Sequence, residues 1–164
     1  MINPELHWVK VEAITSYQRI TAELQLRGRL RETISDPEAH LRFRSVQTEP
    51  LLPGAPRLQG VPEGMVNKTF VSLVWTIEPE PPPPDDVPEK TRRYVLVQGA
   101  GYTLKGYAEF PAAADPGLHS DMLLKGHFFP VHDATVGFVG ADGHTWERPV
   151  VWVNRDLMIT MFMQ

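Results

Sequence analysis

The segment Pro79-Glu-Pro-Pro-Pro-Pro-Asp-Asp-Val-Pro88 constrains this chain more than any other ten residues. Proline fixes φ and lacks a backbone N–H, so such a run cannot enter a helix interior or a central strand. It favours extended polyproline II backbone, and Glu78, Glu80, Asp85, Asp86 and Glu89 keep it solvated. Six of the 16 prolines lie in it. The expected organisation is a first domain over 1–77, an acidic proline-rich linker over 78–93 and a second domain over 94–164. A PxxP docking site for an SH3-like partner is the other use of such a stretch, and that requires a flanking basic residue.

Two halves of similar length invite a search for a repeat. Phe43–Leu51 lies against Phe128–Val136 at an offset of 85, and Ser16-Tyr17 against Gly101-Tyr102 at the same offset. Val66-Asn67-Lys68 matches Val153-Asn154-Arg155 at 87. Ile20, Ala22, Leu24 and Leu26 align with Leu104, Gly106, Ala108 and Phe110. Four matched segments in one order imply an internal duplication.

Each copy reads as strands. Trp8 to Ile14 begins the first copy, and the period-two alternation of Ile20, Ala22, Leu24 and Leu26 marks a half-buried strand. In the second copy Tyr94 to Val97 leads through the Gly99-Ala-Gly101 turn into Tyr102 to Phe110. Short helical turns are expected at Asp36 to Leu41 and Leu118 to Leu124. Strands follow at 41–52 and 127–139. A last hairpin is expected in each copy, over 65–77 and 149–163, turning at Asn67-Lys68 and Asn154-Arg155-Asp156. Five short strands, twice over, predict an all-β protein of two tandem small barrels.

The segments Val66-Asn-Lys-Thr-Phe-Val-Ser-Leu73 and Val150-Val-Trp-Val-Asn-Arg-Asp-Leu-Met-Ile-Thr-Met161 resemble the closing strand pair of Sm-like and SH3-like small barrels. Neither Lys68 nor Arg155 is followed by the glycine that the Sm-like turn carries. Phe129-Pro-Val-His-Asp-Ala-Thr-Val136, followed by Val153-Asn-Arg155, is also similar to bacterial domains of unknown function. The Sm-like resemblance implies a five-stranded barrel. By analogy it also implies nucleic-acid binding through Lys68, Arg155 and an arginine face.

That face consists of Arg27, Arg29 and Arg31, alternating on or beside a strand, with Arg42 and Arg44 flanking Phe43. Five arginines neutralise phosphates, meet an acidic partner, or form a solvated face paired with Glu23, Glu32 and Glu38. Charge divides unevenly: residues 1–77 carry +1, 78–93 carry −2 and 94–164 carry −3, giving the net −4 of the whole chain. The second copy is instead rich in histidine. His119, Asp121, His127 and His132 are the residues that would serve a metal-dependent enzyme, with Asp133 and His144 nearby.

The final strands are apolar on both alternating sets, which a half-exposed strand is not. Val71, Leu73 and Trp75 in the first copy, with Met158 and Phe162 in the second, are therefore expected at an interface between the barrels or between chains. With no cysteine, there is no thiol catalysis, disulfide or Cys-ligated metal. Neither G-x-G-x-x-G nor G-x-S-x-G occurs, so no phosphate cradle or nucleophile elbow is expected, and no cofactor. The longest uncharged apolar run, Thr69 to Ile77, is too short for a membrane span. Without a charged n-region and apolar h-region, the expected compartment is the cytoplasm. The function expected is a non-catalytic binding or scaffold module that acts through protein partners and self-association.

Overall fold

The computed structural model describes residues 5–81, 89–139 and 144–164. The chain forms two compact units, Met1–Glu80 and Pro81–Gln164. The first contains β1 (Leu6–Ile14), β2 (Gln18–Arg27), the one-and-a-half-turn helix α1 (Leu30–Ser35), β3 (His40–Pro50), β4 (Val61–Asn67), a 3-10 turn (Lys68–Phe70) and β5 (Leu73–Thr76). The second contains β6 (Lys90–Gly99), β7 (Tyr102–Pro111), a 3-10 turn (Pro116–Leu118), α2 (His119–Leu123), β8 (Phe128–Phe138), β9 (Thr145–Asn154) and β10 (Met158–Met163). The protein is all-β, as its sequence predicts. The polyproline stretch Pro82–Pro88 lies outside the described residues. Lys90–Arg93, read from sequence as linker, are the first residues of β6.

Strand order is β5-β1-β2-β3-β4 in the first unit and β10-β6-β7-β8-β9 in the second, every intra-unit ladder being antiparallel. Each unit thus has the same order, with its fifth strand returning beside its first. Two expectations are corrected. The closing strands form no hairpin: β4 pairs with β3 while β5 pairs with β1, and β9 pairs with β8 while β10 pairs with β6. The 3-10 turn and two further residues between β4 and β5 redirect the chain to a different neighbour. Among the described residues no ladder joins β4 to β5 or β9 to β10, so each unit is an open five-stranded sheet rather than a closed barrel.

Registers recur between the units. Val11 pairs with Ala22, and 84 positions on Val95 pairs with Gly106. Opposite Ala22 the β2–β3 ladder shifts register, as does the β7–β8 ladder opposite Gly106. Ser45 and Asp133 sit in these bulges with φ of 53° and 48°, in the left-handed region that non-glycine residues rarely enter. His40 pairs with Asn67 and Phe128 with Asn154, so the third strands correspond at an offset of 88. The 85 suggested by matching Phe43 to Phe128 is three residues out of register. The Ser16-Tyr17 match fails likewise: Tyr17 is exposed in a turn, whereas Tyr102 is buried on β7 with its ring over Gly99.

The period-two pattern decides the inward face. Ile20, Ala22, Leu24 and Leu26 are all buried, as are Leu104, Ala108 and Phe110. Helix α1 begins earlier than expected because Leu30 and Ile34, one turn apart, both enter the core. Its N-terminus is held by carboxylates: Glu32 Oε2 accepts the Arg29 N–H at 3.0 Å, and Glu80 Oε2 accepts the Leu30 N–H at 3.0 Å. The start of the acidic segment is thereby tied to the first unit.

Candidate functional site

Lys68 and Arg155, the basic residues implied as nucleic-acid contacts, have matching structural duties. Asn67 Oδ1 accepts the Thr69 N–H at 3.0 Å, and Asn154 Oδ1 accepts the Asp156 N–H at 2.9 Å. Lys68 N–H donates to the Ala39 carbonyl, and Arg155 N–H to the His127 carbonyl, both at 2.9 Å. The side chains then reach back to the ends of the helices. Lys68 Nζ donates to the Thr33 and Asp36 carbonyls, and Arg155 Nη1 to those of Leu124 at 2.6 Å and Lys125 at 3.2 Å. Carbonyls at a helix C-terminus lack intrahelical partners and carry partial negative charge, which a cation satisfies. Burial lowers the Lys68 pKa from the usual lysine value, against the opposing pull of Asp36 and Glu38. Lys68→Met and Arg155→Met are each expected to cost about 1–3 kcal/mol in denaturant titration, because the carbonyls lose charged donors.

The five arginines do not form one face. Arg27 ends β2 on its outward side, Arg42 and Arg44 point outward from β3, and Arg29 and Arg31 belong to the start of α1. Arg31 and Arg27 make no ion pair among the described residues. Arg42 pairs with Glu38 at 3.5 Å, and Arg44 pairs with Glu23. The Arg44 guanidinium also lies over the Trp8 ring, 4.3 Å from its centroid.

The corresponding face of the second unit also holds a cation, an aromatic ring and acids, but its acids Glu109 and Asp133 stand where the first unit has Gln25 and Ser45. Trp8, Glu23 and Arg44 correspond by register to Arg92, Tyr107 and His132. Arg92 lies over Tyr107 at 5.5 Å, donates to Glu109 Oε2 at 3.2 Å and to Asp133 Oδ2 at 2.7 Å. His132 Nε2 is 3.1 Å from Glu109 Oε1, and Tyr94 meets Tyr107 edge to face. Aromatic, cation and acid bind three adjacent strands together in both units.

The candidate metal ligands are dispersed. His119 is buried on α2, stacked on Phe110 with ring centroids 4.0 Å apart, and its Nδ1 lies 3.5 Å from Arg93 Nη1. Asp121 is exposed on the same helix. His127 pairs with Asp156 at 3.1 Å at the surface, and His132 belongs to the Glu109 network. Among the described residues no three His, Asp or Glu side chains converge as a metal site. Burial lowers the His132 pKa, an effect that Glu109 opposes and Arg92 reinforces. The sign follows: the unfolded chain takes up this proton near the ordinary histidine value, while the folded chain does so only at lower pH. Stability contributed by His132 is therefore lost as pH falls below about 6.5. His132→Gln is expected to flatten the fall in unfolding midpoint between pH 7 and pH 5.

Of the residues assigned to an interface, Val71, Leu73 and Trp75 are fully buried, Trp75 being 1% exposed. Phe162, which occupies the Trp75 position by register, is 58% exposed, and Met158 is half-buried. On β10 the neighbouring Ile159 is 69% exposed, and on β4 Met65 is 62% exposed. Both strands end a sheet order, with a ladder partner on one side only. Glu109 and Arg92, which no sequence motif singles out, complete the network around His132. No described helix is long and apolar enough to cross a membrane. No family model, curated protein or solved structure matches the chain.

Proposed function

We propose that the protein is a non-catalytic, self-associating binding module made of two copies of one Sm/SH3-like unit that have diverged at their surfaces. The common strand order, the paired bulges at Ser45 and Asp133 and the paired Asn67–Lys68 and Asn154–Arg155 turns support the duplication. The observation that carries self-association is the exposure of Ile159 and Phe162 on the terminal strand β10, together with Met65 on the terminal strand β4. A terminal strand offers unpaired backbone donors and acceptors to another chain, and exposed apolar side chains add area to that pairing. The occupant we assign is a second copy of this chain.

Light scattering on nuclease-treated full-length protein tests this reading. The expected result is a mass above 18.5 kDa that falls towards it on dilution, and falls further for Ile159→Lys/Phe162→Lys. A monomer at every concentration excludes self-association. Nucleic-acid binding, the rival reading, requires affinity that drops steeply with salt.

A further inference from the structure

An open pocket of about 340 Å³ lies at one end of the first unit's sheet, where β2 ends and β3 begins beside α1. Its size falls within the range of small-molecule sites, roughly 300–1,000 Å³. Its lining includes the guanidinium groups of Arg27 and Arg42, the His40 imidazole, the carboxylates of Asp36 and Glu38, and the Thr33 hydroxyl. Arg27 and His40 form no side-chain hydrogen bond or ion pair among the described residues. Among the described residues Arg42 meets only Glu38, at 3.5 Å with both side chains more than half exposed, which is a weak commitment. Asp36 is held in place, Oδ1 accepting the Glu38 N–H at 2.8 Å, and the Lys68 ammonium donates to its carbonyl from the side of the 3-10 turn.

The second unit shows what this position needs for folding. Pairing register places Pro111, Phe128 and Pro130 where the first unit has Arg27, His40 and Arg42. The same framework thus carries three apolar residues in one unit and three basic ones in the other. The fold therefore does not require basic residues at these three positions.

We propose that this pocket binds a small phosphorylated compound with free hydroxyls, of the chemical class of a sugar phosphate. Guanidinium groups from adjacent strands, with an imidazole on the same lining, are the donors that phosphate oxygens accept from most readily. The Asp36 and Glu38 carboxylates accept hydrogen bonds from hydroxyls, which the phosphate itself does not supply. The same carboxylates repel a polyanion, so one phosphate is favoured over a nucleic-acid strand. The site uses no side chain of β4 or β10, although Arg42 pairs in register with Met65 of β4, so the titration is run at protein concentrations below the mass transition.

Ribose 5-phosphate, ribose, inorganic phosphate and a short single-stranded RNA are titrated into the full chain at low salt and followed by backbone amide NMR. Ribose 5-phosphate is expected to give saturable shifts at Arg27, Thr33 to Leu41 and Arg42, inorganic phosphate weaker shifts at the same amides, and ribose none. Arg27→Gln/Arg42→Gln should weaken binding about tenfold or more, and His40→Phe should weaken it severalfold. All three side chains are exposed, so unchanged melting of these variants checks that folding is intact. The proposal is overturned if no saturable shift occurs by about 10 mM, which corresponds to under 3 kcal/mol of binding. It also fails if the double variant binds undiminished, if inorganic phosphate binds as tightly as ribose 5-phosphate, or if the RNA binds these amides more tightly than either.

Discussion

Trp75→Ala is expected to destabilise the first unit by about 3–5 kcal/mol, and Phe162→Ala to cost the second under about 1 kcal/mol. The two residues occupy one register position: Trp75 pairs with Glu12, and Phe162 pairs with Leu96, 84 positions beyond Glu12. Their environments are opposite, because Trp75 is fully buried and Phe162 is mostly exposed. Truncating Trp75 forfeits apolar transfer energy and leaves a cavity, whereas truncating Phe162 removes a ring already in contact with water. Denaturant titration, following the amide signals of each unit separately, measures both. Equal costs would mean that the outward side of β10 is covered as completely as that of β5.

Gly106→Ala is expected to cost about 3 kcal/mol, and Ala22→Gly, at the same register, about 1 kcal/mol. A Cβ on Gly106 would lie 2.6 Å from Val131 Cγ1 and 2.7 Å from the His132 carbonyl oxygen. Backbone oxygen does not move aside as a flexible side chain does, so the bulge at Asp133 must shift. That bulge places His132 and Asp133 against Glu109 and Arg92. Loss of stability should therefore come with altered chemical shifts across the Arg92–Glu109–His132 network. An unshifted network with full stability would show that the bulge has slack.

The sequence made the strands legible where one face is buried. The alternations Ile20–Leu26 and Leu104–Phe110 settle both the element and its inward side, because burial repeats every second residue. The Asn–Lys and Asn–Arg turns were also visible, since asparagine accepts a local hydrogen bond from the chain two residues on. The partners of the strands after those turns were not visible. Nothing in a tight turn says whether the outgoing strand pairs with the incoming one, and here it pairs with β1 or β6 instead. The third strands were placed three residues out of register, because matching aromatic residues at 43 and 128 ignores the differing loops before them. The helical turn expected at 36–41 lies instead at Leu30–Ser35, where Leu30 and Ile34 have helical spacing and Glu32 stands near the start.

The candidate surfaces were legible as residue types but not as roles. Arg27, Arg29 and Arg31 alternate in sequence, yet the strand ends at Arg27 and the helix that follows turns the other two elsewhere. Lys68 and Arg155 read as free cations, because the carbonyls they serve lie some 30 residues away in the chain. The histidines are close in sequence and dispersed in space, each taken up by a different neighbour: Phe110, Asp156 or Glu109.

Self-association through the terminal strands is tested most directly by hydrogen exchange of the full chain at two protein concentrations, one well above and one well below the mass transition. The account predicts that amides of β10 and β4 become slower to exchange at the higher concentration, while β2 and β7, paired on both sides within their units, do not change. Exchange of β10 and β4 that is independent of concentration, or protection that appears elsewhere instead, would contradict it.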